Sequence, residues 1–572
     1  MKNQKLYTLF IFACAGLLMT AYTGCKKYDN PPPVFEDLKD LSTIQRKILI
    51  ISIDGLTGSE LKNVAPTNIV ALQKTGKYSY DVLNSAVATD ASGWASLLKG
   101  VTYGKHQISK NSFDRDLTAT TGDFEDALNT YRNIFDFVSE FKSVKTAVIT
   151  PWLPLRGYLT NTDFSPIVNT DLAVKDSTVN IIANQTQIGA LIVNFKDVEA
   201  AGANGGFVAS NANYKNAIIK ADEYVGNITK ALVARKNYAK EDWLVIVTTN
   251  HGGSSDAPEK GFVVLSNPSI KQQEVKKTGY NAPYFGSFYA QATPGNKSTD
   301  LFDVGLTNSI TVQMDTKFGN QDYYPTFLGK STGLSGGDIT GWTWNHYGDE
   351  WYVTIGGTAN GGYGKYQLAA TVAPGTAWHT LTMVINTTVN GQNVPTARTL
   401  RLYMDGNPVS DVRDVLDRKS LSTPAMFKLG NIVRGNPSAL ATFYAANLEY
   451  FNIALDDATI KANYKLKDLT KHPNYANLVG YWPMNEGALS VLNNSIAGGT
   501  SLNLANDYAW TNFSDAFPAG SLVDATATGV SIIPTTSDVA ANALYWMKIK
   551  ILPAYDFEGN PFLNKFEIEF LK

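Results

Sequence analysis

Lys47–Gly55, KILIISIDG, and Thr89–Gly100, TDASGWASLLKG, are the two stretches whose reading decides the fold. The first is an unbroken Ile/Leu run ending in Asp-Gly. A run with no polar alternation reads as a strand buried on both faces, the habit of parallel sheets. Asp54 then stands at the strand's carboxyl end, where open α/β sheets bind ligands. The second stretch reads as a loop turning into a helix, with Trp94, Leu97 and Leu98 at helical spacing. Helix N-termini attract anions and often carry nucleophiles.

Outward from these stretches, helical and strand patterns alternate. Ser59–Thr75, Tyr131–Phe141 and Asn213–Ala234 have helical spacing. Lys145–Thr150, Ala190–Phe195 and Trp243–Thr248 read as strands. Asp197 follows the second of these strands, and Asn250-His251-Gly252 follows the third. Strands separated by helices predict a mostly parallel sheet with helices on both faces, its site at the carboxyl ends.

Strand-Asp-Gly followed by a loop-helix containing Trp-Ala-Ser-Leu-Leu-x-Gly resembles the alkaline phosphatase superfamily, on its phosphodiesterase/nucleotide pyrophosphatase side. The family loop reads Thr-x-Pro-Asn-Trp-Ala-Ser-Leu-Leu-Thr-Gly, with its first Thr the nucleophile. Trp94, Ala95, Ser96, Leu97, Leu98 and Gly100 match without a gap, and His106 matches a non-ligand position. The nucleophile position is Asp90, and the phosphate-gripping Asn is Gly93. The resemblance implies a first metal shell of Asp54, Asp90, Asn250 and His251. Of the second shell it leaves Asp197 as a remnant, because Ala200 and Ala201 stand where Gly and His are usual. The chain has five His, and apart from His106 and His251 they are His346, His379 and His472, in or beside the region read below as β. A two-zinc centre is therefore not expected. Two carboxylates, an amide and an imidazole could hold one Ca²⁺, Mg²⁺ or Zn²⁺, or could hydrogen-bond among themselves. Asp197 and Glu199 read as rim residues that cap or pair.

Near Phe285 helical spacing fades. Trp378–Asn386, Thr399–Met404 with Asp405-Gly406, and Leu448–Phe451 read as short strands, and Asp-Gly between strands is a hairpin signal. WHTLTMVIN, LRLYMDGNPV, FKLGN (Phe427–Asn431), LEYFNIALDDATI and LVGYWPMNEG resemble the laminin-G/concanavalin-like jelly roll. Trp342, Trp344, Trp351 and Tyr363 are then either sugar-stacking faces or core and cross-strand partners. Thr536–Phe562 resembles the closing segment of the alkaline phosphatase domain. The expected plan is an α/β domain over 46–285, an inserted β domain over 286–519, and a closing α/β segment over 520–572.

The N-terminus carries Lys2 and Lys5, then the apolar run Leu6–Met19, then Tyr-Thr-Gly-Cys. This resembles a bacterial lipoprotein signal (1–24) with lipid on Cys25, followed by a Pro-containing tether (25–45). The chain has two cysteines; Cys14 leaves with the signal, so no disulfide framework is expected. A formal charge of −2 gives no nucleic-acid footprint.

Without a hydroxyl at position 90 there is no alkoxide for in-line attack, and an Asp there repels a transferring phosphate. The expectation is an outer-membrane lipoprotein with a degenerate catalytic domain. It would bind a surface glycan, a glycoconjugate or an envelope protein, reaching the membrane through its lipid. Two rivals stand: a single-metal phosphoester or sulfoester hydrolase using Thr89, Ser92 or metal-bound water, and a protein-interaction scaffold.

Overall fold

The computed structural model describes residues 44–84, 87, 89–116, 131–254, 258–287, 290–295, 302–321, 325–332, 339–347, 350–357, 366–430, 440–505, 507–521, 523 and 531–570. The expected signal, Cys25, nearly all of the tether, and Tyr363 lie outside these residues.

The α/β part is a seven-stranded sheet of β1 (Gln45–Ile53), β2 (Gly76–Val82), β3 (Lys145–Ile149), β4 (Ile188–Phe195), β5 (Glu241–Thr248), β6 (Gly261–Ser266) and β7 (Gln273–Glu274), in the order β3-β4-β1-β5-β6-β2-β7. β1 lies between β4 and β5, parallel to both. Only β6 runs against its neighbours.

The apolar run in β1 has a direct cause. Ile48 and Ile50 pack into one core with Trp94, Leu97 and Leu98, while Leu49, Ile51 and Ile53 pack into the opposite one with Tyr214, Ile218 and Val225. Both faces are covered, so both sets of alternating positions are apolar.

The helices that matter here are α1 (Gly58–Val64), α2 (Thr67–Gln73), α3 (Asp90–Lys99), α4 (Ile134–Phe141), α5 (Asp171–Asn184), α6 (Asp197–Ala203), α7 (Ala212–Val233) and α8 (Asp538–Trp546). The single helix expected over Ser59–Thr75 is two. Ala65 leaves the helix at φ 47°, and Pro66 caps α2. A proline lacks the N–H that would continue the ladder and pushes its predecessor out of the helical region.

The second part is built from antiparallel sheets of nine and eight strands among the described residues. Its core holds Trp342, Trp344, Trp351, Phe327, Met314, Leu381 and Phe443. The three tryptophans are at most 1% exposed, which corrects their candidacy as sugar-stacking faces. Trp342 and Trp344 are two apart on the strand Gly341–Tyr347, and Trp351 is on its hairpin partner Glu350–Gly356, so all three share the inward face. His346, on the same strand, is also buried, and burial lowers its pKa to about 4. The Asp405-Gly406 hairpin is as read. Both residues have positive φ, 50° and 74°, and join Met404 to Asn407.

This part begins earlier than residue 286. Tyr280–Phe285 is a strand of the nine-stranded sheet, paired with Tyr508–Phe513 and Ala441–Phe451. Pro283 within it weighs against a strand when read from sequence alone.

After the sandwich the chain returns to the α/β sheet. Val539, Ala540, Leu544 and Trp546 of α8 pack into the core that holds Ile48 and Trp94. Trp546 Nε1 donates to Asp242 O at 3.1 Å, and Glu558 N and Gly559 N donate to Gly100 O at 2.9 Å each.

Candidate functional site

The carboxyl ends of β1, β4 and β5 and the start of α3 converge. Asp54 follows β1 and is 0% exposed. Its Oδ1 accepts from Ser52 Oγ at 2.6 Å and its Oδ2 from Trp94 Nε1 at 3.2 Å. Burial pushes its pKa up, with the Lys196 ammonium working against that shift.

Thr89 is the N-cap of α3. Its hydroxyl accepts from Ser92 N at 3.3 Å and donates to Ser109 O at 2.9 Å. Ser92 is buried, with no hydrogen-bond partner for its hydroxyl among the described residues. Asp90, the first residue of α3, accepts from Asn250 Nδ2 on Oδ1 at 2.7 Å and from Lys196 Nζ on Oδ2 at 2.8 Å. Burial works to raise its pKa, but His251 and Lys196 hold it well below the carboxylate range.

Position 93 closes off the family's phosphate grip. A Cβ built on Gly93 would lie 2.5 Å from Asn250 O, so the loop after β5 packs directly on α3. Asn250 is spent on this packing, because its Oδ1 accepts from His251 N at 2.8 Å while Nδ2 holds Asp90.

The residue that organises the site is Lys196, which follows β4. Its backbone N–H and that of Asp197 both donate to Asp171, at 2.9–3.1 Å, which fixes the turn into α6. Its ammonium donates to Asp90 and to Glu199 and lies 3.5 Å from Asp54 Oδ2. Burial would lower its pKa, but Asp54, Asp90 and Glu199 together raise it well above the ordinary lysine value. Glu199 reaches the site because Gly55, at φ 75°, has no side chain: a Cβ there would sit 2.7 Å from Glu199 Cα.

His251 is 1% exposed, and among the described residues neither ring nitrogen has a hydrogen-bond partner. Its Nε2 is 3.4 Å from Asp90 Oδ1. Burial lowers its pKa, but Asp90, Glu199 and Asp54 outweigh that, and the net shift is upward.

The structure brings Asp54, Asp90, Asn250 and His251 together as expected, but not as a metal shell. Asp90, Glu199 and His251 have donor atoms within 4.8 Å of one another. The ammonium of Lys196 already sits on the oxygens of Asp90 and Glu199, and Asn250 Oδ1 already accepts from His251 N. The donors present fit an ammonium, not a divalent ion beside it. Asp197 is not in this group. It lines a separate cavity of about 360 Å³ with Asp171, Asn216, Lys220 and Tyr224. His106 is structural: its Nδ1 accepts from Ile108 N at 3.0 Å, so Nε2 carries the proton toward Ser96 Oγ at 2.9 Å.

Sequence reasoning missed Lys196 and left Glu199 at the rim. The signal was an imbalance. Three carboxylates converging with one metal shell lost require another cation, and a lysine directly follows β4.

Residues 48–298 match the family model of type I phosphodiesterases/nucleotide pyrophosphatases, of the alkaline phosphatase superfamily. Among solved structures the chain is similar to a 2-O GAG sulfatase at 13% identity and TM-score 0.31, covering 40% of this chain and 65% of that one. A candidate sulfatase from Bacteroides thetaiotaomicron gives 13% identity and TM-score 0.31, with 40% and 66% covered. A candidate carbohydrate-binding protein from Bacteroides ovatus gives 11% identity and TM-score 0.30, with 46% and 76% covered. The chain thus spans just under two thirds of the length of both sulfatases. No curated protein matches it.

Proposed function

We propose that the protein is an outer-membrane lipoprotein, tethered through lipid on Cys25, whose alkaline-phosphatase-like domain has left ester hydrolysis and serves in binding. The observation that carries this reading is Asp90. Where the family's nucleophilic hydroxyl would stand there is a carboxylate, held by Lys196 at 2.8 Å and Asn250 at 2.7 Å. A carboxylate in that position repels the anionic ester group that hydrolysis would require. The neighbouring hydroxyls offer no substitute, since Thr89 is engaged as a cap and Ser92 is buried.

The target class we propose is a surface glycan or glycoconjugate, taken from the lectin-like type of the inserted sandwich. Fold by itself does not establish a ligand. With the three tryptophans in the core, recognition falls to the sandwich's outer faces and loops. Among the described residues no helix is long and apolar enough to cross a membrane.

The test uses the full chain in detergent. It is assayed against aryl phosphate, bis-aryl phosphate and aryl sulfate, then against a glycan array. No turnover with retention of defined glycans is the expected result. Turnover abolished by Asp54→Ala and His251→Ala would replace this reading with a hydrolase. An empty array with co-purifying envelope proteins would replace glycan with protein as the target.

A further inference from the structure

We propose that Lys196 is the resident cation of this site, and that Asp90, Glu199 and His251 form a divalent-cation shell which its ammonium keeps closed. The inference rests on the reading that the site has left metal-assisted hydrolysis. It is tested by counting ions, which neither turnover nor glycan retention would decide.

The first ground is stoichiometry. A lysine ammonium has three N–H donors and no acceptor. Three carboxylates face Lys196: Asp90 at 2.8 Å, Glu199 in direct contact, and Asp54 at 3.5 Å. Two of its donors are taken by the carboxylates of Asp90 and Glu199, and Asp54 lies within ion-pair distance. Without a cation these carboxylates would repel one another in a half-buried, low-dielectric setting.

The second ground is the idle imidazole. His251 is buried and lies 3.4 Å from Asp90 Oδ1, within ion-pair range, but among the described residues neither ring nitrogen makes a hydrogen bond. A buried polar group without a partner is costly and calls for an explanation. Among the described residues the hydrogen bonds of the ammonium go to Asp90 and Glu199, not to this ring. A divalent ion would use it, since imidazole with two carboxylates is a common donor set for zinc and its neighbours. The shell therefore has one donor more than its present occupant engages.

The third ground is that Lys196 is held from behind. Its backbone is clamped by both oxygens of Asp171, and its Nζ lies 5.5 Å from the Trp152 ring centroid. The ammonium is placed by the end of β4, not by a chance rotamer on an open surface.

Equilibrium dialysis of the full chain against Zn²⁺, Mn²⁺ and Ca²⁺, with elemental analysis, tests this. Wild type and Lys196→Arg are expected to retain no stoichiometric ion. Lys196→Met is expected to retain one ion per chain, bound roughly a hundredfold tighter than by wild type, as removal of a like charge warrants. Adding His251→Ala or Glu199→Gln to Lys196→Met should abolish that ion. A folded Lys196→Met that retains no ion overturns the proposal, and so does a wild type that binds one ion as tightly. Where Lys196→Met does not fold, lysine acetylation of wild type decides. Lys196 should be modified at least tenfold more slowly than exposed Lys220, and equal rates would overturn the proposal.

Discussion

Two buried ion clusters cap opposite ends of the same three strands, and they are built to opposite rules. At the amino ends, one carboxylate serves two cations. Glu241 pairs with Lys47 at 2.7 Å and Arg235 at 2.8 Å and accepts from Trp243 Nε1 at 2.8 Å. The surplus positive charge is met by carbonyls: Lys47 donates to Ile188 O, and Arg235 to the carbonyls of Ile182, Gln185 and Thr186. Burial works to raise the pKa of Glu241, yet Arg235, Lys47 and Trp243 bring it down to about 2. At the carboxyl ends the ratio is reversed, with Asp54, Asp90 and Glu199 sharing one ammonium beside an imidazole that makes no hydrogen bond among the described residues. The first cluster is saturated and only holds the sheet together. The second keeps unused capacity, at the end of the sheet where α/β folds place their ligands.

The sharpest way to break this contrast is Glu241→Ala. It leaves two buried cations facing each other and should lower stability by about 3–5 kcal/mol in urea unfolding. A loss below about 1 kcal/mol would make the saturated cluster no more structural than a surface pair. Lys196→Met should cost less, about 2 kcal/mol, because its two hydrogen-bonded partners, Asp90 and Glu199, are partly exposed. Measured in chelator and again with added Mn²⁺, part of that loss should return, since an ion bound only by the folded state stabilises it.

His106 supplies a neutral counterpart. Burial, then Lys99 and Arg115, lower its pKa from 6.5 to about 3. Between these values the unfolded chain binds the proton and the folded chain does not, so this contribution falls as pH drops. The slope approaches about 1.4 kcal/mol per pH unit. The wild-type-minus-His106→Gln difference in melting temperature should therefore fall from pH 7 to pH 4. The smallest effect belongs to the exposed Lys220–Glu223 pair, 2.7 Å apart. Glu223→Gln should change stability by less than about 0.5 kcal/mol.

Much of this was legible in the sequence. The apolar run of β1, the helical spacing of Trp94, Leu97 and Leu98, and the Asp405-Gly406 turn each carry a local physical signal. So did Asp54, Asp90, Asn250 and His251, which motif spacing located together. Lys196 was not legible, because its role is set by residues 106 and 142 positions away, at Asp90 and Asp54, and a lysine before an acidic helix start reads as a solvated flank. The tryptophans were ambiguous for a related reason. Period-two spacing puts Trp342 and Trp344 on one face of a strand, and only the second sheet decides that the face is inward.

The placement of α8 has a consequence for how the chain comes into being. Leu544 and Trp546 fill the core against Ile48 and Trp94, yet they are synthesised only after the whole sandwich. Translation from Val275 to Val539 takes on the order of tens of seconds at ordinary rates. For that interval one face of the first sheet is covered by α3 and α4 but not by α8, and the apolar surface that α8 fills is still open. The protein's maturation is thus timed by its C-terminus, and a chain cut before Asp538 should bind hydrophobic dyes and aggregate even though every strand of the first sheet is present.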